Sequence, residues 1–165
     1  MIKRENIAED GTRSCAIYSD CEKYRYILER IWDKNNGKIM FLALNPSTAT
    51  EEKNDPTVAR MVSFARSWGY GGVVVANVFA FRSTLPSDLK KDKNPVGSEN
   101  DLLISKESKN CDKIVACWGN HGTFLNRSEN VKRMIKNMGC LGITKSGEPK
   151  HPLYLRADSR LIKFN

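Results

Sequence analysis

The chain has no apolar stretch approaching the ~20 residues that a helix needs to span a bilayer, so no membrane-spanning helix is expected. Its first residues, Met1-Ile2-Lys3-Arg4-Glu5-Asn6, contain no apolar segment of the secretory kind. The expected location is therefore cytoplasmic. None of the five cysteines, Cys15, Cys21, Cys111, Cys117 and Cys140, has a Cys-x-x-Cys partner. A zinc or dithiol redox motif is disfavoured, and no metal or other cofactor is expected. Cys117 and Cys140 lie in apolar runs and read as buried thiols. Glycines are not grouped as a Walker or Rossmann phosphate loop, which disfavours nucleotide-driven chemistry. A Gly-x-Ser-x-Gly elbow is also missing, which disfavours acyl transfer by a serine nucleophile. There are no internal repeats and no low-complexity segment.

The 165 residues suffice for one domain with a sizeable core, and 40% hydrophobic with 28% charged residues is an ordinary globular balance. The expectation is a single domain over 1–165, with 1–37 as an N-terminal strand/helix extension packed on it. A monomer is expected. The net charge of +8 favours polyanions, chiefly nucleic acid, through phosphate contacts and counterion release.

Hydrophobic periodicity predicts the elements. A short strand covers 15–18. Tyr24, Ile27, Leu28 and Ile31 fit one face of a helix over 24–32, although a strand is not excluded. Asn35-Asn36-Gly37 is a turn. Residues 38–44 form a buried strand. Asp55 is an N-cap and Pro56 the first residue of a helix running to Trp68, with Val58, Met61, Val62 and Ala65 facing inward. Residues 73–78 are a second buried strand. Residues 81–96 are a long polar loop, and 97–110 a polar helix. A third strand covers 113–118, a helix 128–138 and a fourth strand 140–144. The tail, 145–165, is loop-rich and basic. Alternating strands and helices predict an α/β fold: a three-layer sandwich with a central, mostly parallel four-stranded sheet flanked by helices.

Such sheets carry their sites beyond the carboxyl ends of the strands. Here four loops begin at that edge, at Asn45, Asn77, Gly119 and Lys145. They carry Asn45-Pro46-Ser47-Thr48, Asn77, His121 and a late His151-Pro152. Asn45 before a proline is also a common turn residue, and Asp55 is most simply a helix cap. Asn77 inside a valine strand is less ordinary, because a buried amide must find partners. Phe79 and Phe81 alternate along the chain, so an extended backbone sends them to opposite sides.

The motif order resembles the uracil-DNA glycosylase superfamily. The matching segments are Ala43-Leu44-Asn45-Pro46, Val75-Ala76-Asn77-Val78, Cys117-Trp118-Gly119-Asn120-His121 and His151-Pro152-Leu153-Tyr154. A closer resemblance, over most of the chain, is to a bacterial and phage family of domains of unknown function. Its marks are Leu-Asn-Pro-Ser-Thr-Ala at 44–49, Asp-Pro-Thr at 55–57, a Val-Asn strand end (here Ala-Asn-Val at 76–78), and Gly-x-Pro-x-His-Pro-Leu-Tyr at 147–154.

The glycosylase resemblance implies a DNA partner and base flipping. It implies a glycosylase-like fold and hydrolysis of an N-glycosidic bond to leave an abasic site. Asn45 would position the attacking water and His151 would donate to the base carbonyl, with Asp55 at the pocket mouth. Asn77 would read a pyrimidine edge, with Phe79 (or Phe81) stacking on it. Ser47 stands where the uracil-specific branch has a tyrosine, which implies a 5-substituted pyrimidine as target. Phage DNA with hypermodified bases is a natural source, so a role in phage defence is conceivable. Lys145, Lys150, Arg156, Tyr154 and His121 would contact DNA. The competing reading is a non-catalytic nucleic-acid or nucleotide-binding module of the same fold.

Overall fold

The computed structural model covers residues 1–165. One mixed sheet of eight strands runs through it, in the order β1-β2-β3-β5-β4-β6-β7-β8. The strands are β1 (Ile2–Ile7), β2 (Arg13–Tyr18), β3 (Arg25–Ile31), β4 (Lys38–Ala43), β5 (Gly72–Asn77), β6 (Lys113–Ala116), β7 (Gly139–Cys140) and β8 (Ile162–Lys163). Its middle, β5-β4-β6-β7, is parallel and corresponds to the four strands expected from sequence. The sheet extends beyond them. β1, β2 and β3 join antiparallel at the β5 side, and β8 joins antiparallel at β7. Residues 1–37 therefore supply three strands of the main sheet.

The pleat divides β4 between two cores. Ile39, Phe41 and Ala43 pack with Val58, Met61, Phe64 and Ala65 of α1 (Pro56–Ser67). Met40, Leu42 and Leu44 pack on the other face with Leu103 and Ile104 of α3 (Asn100–Ser108) and Val131 of α4 (Arg127–Met134). Helices thus cover both faces, as parallel strands require. A single turn, α2 (Pro86–Leu89), lies in the long loop after β5. Asp55 caps α1 by accepting from Val58 N at 2.8 Å, with Pro56 in the first turn.

Several boundaries differ from expectation. The segment at 24–32 is β3, not a helix. Its 24/27/28/31 spacing satisfies a helical face, but Arg25, Tyr26, Ile27, Leu28 and Arg30 are all buried because the strand lies between β2 and β5. The fourth parallel strand shrinks to Gly139–Cys140, because Thr144 to Glu148 folds into a turn closed by Thr144 N to Glu148 O at 2.8 Å. The helix expected over 128–138 ends at Met134, and Ile135 is extended. The tail returns to the sheet as β8. All five cysteines are free, and Cys117 and Cys140 are buried. No helix is long and apolar enough to cross a membrane.

Asn165 closes the end of α4. Its Nδ2 donates to Lys132 O at 3.2 Å and Ile135 O at 2.9 Å, while its Oδ1 accepts from Met138 N at 3.0 Å. Helix ends leave carbonyls in need of such donors. Asn165→Ala is therefore expected to destabilise the fold by about 1–3 kcal/mol, read as a lower urea midpoint with unchanged slope. An unmoved midpoint would show that water replaces the amide without loss.

Candidate functional site

The first parallel strand, β4, has the second, β5, on one side and the third, β6, on the other. The direction in which successive strands are added to the sheet therefore reverses at β4. Loops leaving β4 and β6 diverge there and open a crevice beyond the carboxyl ends. A cavity of about 490 Å³ occupies this place, within the range of small-molecule sites. Asn45, Ser47, Asp55, Asn77, His121 and His151 all line it, although they are spread over more than one hundred residues of sequence.

Asn45 follows β4 directly. Its Nδ2 donates to Ser83 O at 2.8 Å and Pro46 O at 3.1 Å. Carbonyls only accept, so these contacts settle the amide orientation and leave Oδ1 without a protein partner. Ser83 N returns a bond to Pro46 O at 2.8 Å, which ties the loop after β5 to the loop after β4.

Asn77 ends β5 and is 2% exposed. Its Oδ1 faces Arg25 Nη2 at 3.5 Å. An arginine only donates, so Oδ1 is the atom turned to it, and Nδ2 has no protein partner. The backbone here is clamped from behind. Asn100 Nδ2 donates to Asn77 O at 2.8 Å, and Arg127 Nε donates to Val78 O at 2.9 Å. Arg127 is itself held by Asp101 at 2.6 Å.

His151 Nδ1 accepts from Leu153 N at 3.2 Å. A neutral ring that accepts at Nδ1 carries its proton on Nε2, which makes Nε2–H the available donor. His151 keeps solvent-exposed surface at the rim. Even so, burial of the ring by the surrounding cleft lowers its pKa from the ordinary 6.5, and Asp55 opposes the shift. The imidazole is therefore neutral above that range. An NMR titration of His151 is expected to give a midpoint below 6.5, and Asp55→Asn to lower it further. A midpoint at or above 6.5 would remove the case for a neutral donor.

Asp55 has both carboxylate oxygens on backbone N–H groups: Oδ1 on Val58 at 2.8 Å and Oδ2 on Ala49 at 3.3 Å. Ser47 lies on the wall, half-buried, with Ser83 and Thr84 nearby on the same lining. Trp118, at the end of β6, is the aromatic side chain of the lining. Its Nε1 donates to the buried Glu148 at 2.7 Å, and Ser128 Oγ donates to the same oxygen at 2.7 Å. Gly119 N to Pro149 O, at 2.8 Å, brings the segment before His151 against the end of β6.

The expectation for Phe79 is corrected. It is fully buried, with its ring 5.7 Å from that of Phe124, and it does not line the cavity. Phe81 packs edge-on against Tyr24 at 5.8 Å and is not on the lining either. The backbone past Asn77 still pairs with β4, through Val78 N to Ala43 O and Phe79 N to Leu44 O, so Phe79 continues the buried strand. Lys145, Lys150, Arg156 and Tyr154 are exposed and lie outside the cavity. Arg156 is engaged by Asp158 at 3.0 Å. Tyr154 is 95% exposed with φ of 70°, a left-handed conformation unusual for a bulky residue. No cluster of three or more His, Cys, Asp or Glu is placed to hold a metal ion.

Arg25 was not singled out from sequence. β3 runs antiparallel to β5, so its first residue reaches the edge where the parallel strands end. Arg25 is 2% exposed, lines the cavity, and donates to Ala49 O at 2.8 Å as well as to Asn77. Its Nε is buried without a partner, and it is in none of the ion pairs of the chain. Burial pushes its pKa down to about 10, with Asp55 opposing, so it stays charged at neutral pH. On the same strand, Arg30 bonds Thr50 O, Lys53 O and Asn54 Oδ1. Tyr18 OH bonds Glu51 at 2.9 Å. The antiparallel strands thereby hold the whole segment leading to Asp55. The one signal in the sequence was an arginine inside an apolar Tyr-Arg-Tyr-Ile-Leu run, which a helical reading would leave in solvent.

Fold and site together define an α/β protein with a partly enclosed cavity, lined mostly by polar residues, at the switch point of the parallel part of the sheet. Residues 25–153 match the family described as a protein of unknown function (DUF1643), and the chain belongs to that family. The matched span begins at Arg25 and includes every cavity residue named above. No curated protein and no solved structure matches the chain.

Proposed function

We propose that the protein is a DNA glycosylase acting on a flipped pyrimidine, with a 5-substituted base favoured over plain uracil. The observation that carries this reading is the polarity of one cavity. Asn45 offers an acceptor, Oδ1, while Asn77 and His151 each offer a donor with no protein partner.

Such chemistry asks little of a base catalyst, because the departing group drives it. The C1′–N bond breaks and its electron pair leaves with the nucleobase. Water, oriented by Asn45 Oδ1, adds its oxygen to the oxocarbenium carbon. Its proton passes to the Asp55 carboxylate, whose oxygens retain lone pairs beyond the two backbone bonds. His151 Nε2–H and Asn77 Nδ2 donate to base carbonyls, and these bonds strengthen as charge builds there. Ser47 leaves the wall small where a bulky side chain would exclude a substituent at base carbon 5. The net charge of +8 suits a polyanionic substrate.

The test is an abasic-site assay on oligonucleotides carrying uracil, thymine mispairs and a set of 5-modified pyrimidines. Release from 5-substituted bases supports the reading. Release from plain uracil alone overturns the argument from Ser47. Salt-dependent DNA affinity with no release from any substrate favours the binding module.

A further inference from the structure

We infer that Arg25 makes the cavity selective for a cyclic keto base in its anionic form, the form in which a pyrimidine leaves the sugar. This rests on the base-binding reading of the cavity and names a residue that the motif resemblance does not supply.

Buried arginines are normally paired with a carboxylate, because an uncompensated charge is costly to keep out of water. Arg25 is 2% exposed and has only two neutral acceptors, the Ala49 carbonyl and the Asn77 amide, with Nε left without a partner. Asp55 is the acidic group on the same lining, but it makes no ion pair with Arg25: its oxygens are held by the N–H groups of Val58, in the first turn of α1, and Ala49, in the loop after β4, and the helix dipole also compensates it. Asp55 acts on Arg25 only across the cavity, and no carboxylate is hydrogen-bonded to the guanidinium. A directly paired negative charge is what a ligand can bring.

Arg25 also sets what Asn77 presents. Its Nη2 lies 3.5 Å from Oδ1, which assigns Oδ1 to the arginine side and leaves Nδ2 without a protein partner, and His151 likewise offers Nε2–H. Two donors backed by a guanidinium call for ring carbonyls or an oxyanion. They disfavour a base whose exocyclic amino group would meet the Asn77 amide. A uracil-type ring, with two carbonyls, fits; a cytosine-type ring fits less well. Charge-assisted hydrogen bonds are about twice as strong as neutral ones, so the preference grows as the base becomes anionic.

The experiment is calorimetric titration of the whole protein with free bases at one neutral pH. The probes are barbiturate (a trioxopyrimidine ionised at that pH), uracil, 5-methyluracil, cytosine and inorganic phosphate. Barbiturate is expected to bind roughly tenfold or more tightly than uracil, and cytosine more weakly than uracil. Arg25→Lys should keep the order. Arg25→Gln keeps a donor near Ala49 O without the charge, and should erase the barbiturate advantage over uracil while thermal unfolding shows an intact fold.

Equal binding of barbiturate, uracil and cytosine overturns the inference. So does phosphate binding as tightly as barbiturate, which would indicate a plain anion site. The titration does not involve base release. Unselective binding by a protein that releases base therefore overturns only the role of Arg25. Selective binding without release from any oligonucleotide overturns only the glycosylase reading.

Discussion

Asn45→Ala is expected to lower base release by about two to three orders of magnitude, with DNA affinity and its salt dependence unchanged. The reason is the division of labour within the amide. Nδ2 is bound to Ser83 O and Pro46 O, so Oδ1, on a residue of the cavity lining, is left without a competing protein partner. Asn45→Asp should not rescue or improve the rate, although a carboxylate is the better base. It cannot donate to those two carbonyls, and like-signed oxygens at 2.8 and 3.1 Å would push the loops apart. Single-turnover release and filter binding separate the two effects. Full activity in the alanine variant would remove Asn45 from the mechanism, and with it the strongest link to a water-positioning loop.

The second large effect concerns stability. Trp118 is 1% exposed, stands edge-on to Phe164 with ring centres 5.5 Å apart, and donates to the buried Glu148. Trp118→Ala removes a large core side chain, a loss of about 3–5 kcal/mol. It also leaves Glu148 with Ser128 as its one side-chain donor, a further penalty of about 1–3 kcal/mol. Together these approach the ~5–15 kcal/mol by which a whole domain is stable. The variant is expected to be largely unfolded near 37 °C, measured by circular dichroism on heating. Trp118→Phe keeps most of the packing and should lose only the donor's share. A Trp118→Ala protein melting within a few degrees of the parent would show that the Glu148 network is dispensable and that the core collapses around the gap.

The elements visible in the sequence were those whose pattern has one reading. Val73-Val74-Val75 is too short and β-branched for a helix, and residues 38–44 end at an Asn-Pro that a helix cannot cross. Asp55-Pro56 announced α1 because a capping side chain and a proline with no N–H suit the same helix end. The site residues Asn45, Asn77 and His151 were legible for a related reason: each stands at or after the end of an apolar strand, where a polar side chain is conspicuous. The segment at 24–32 was ambiguous because burial on both faces of a strand erases period two, and what remained mimicked a helical face. That misreading hid Arg25. Phe79 failed differently. The glycosylase resemblance implies a stacking role for it, but pairing with Leu44 carries the strand on and turns the ring into the core.

By itself, the sequence determined that four apolar strands alternate with helices, and that polar residues stand where those strands end. Burial pattern and capping chemistry are local, so they can be read in one dimension. Only the tertiary structure decided how far the sheet extends, because antiparallel pairing of β1–β3 and β8 joins segments whose own periodicity is weak. It also decided the polarity of the cavity. Which end of an amide faces a ligand depends on what holds the other end, and Ser83 and Arg25, the partners of Asn45 and Asn77, lie 38 and 52 residues away along the chain.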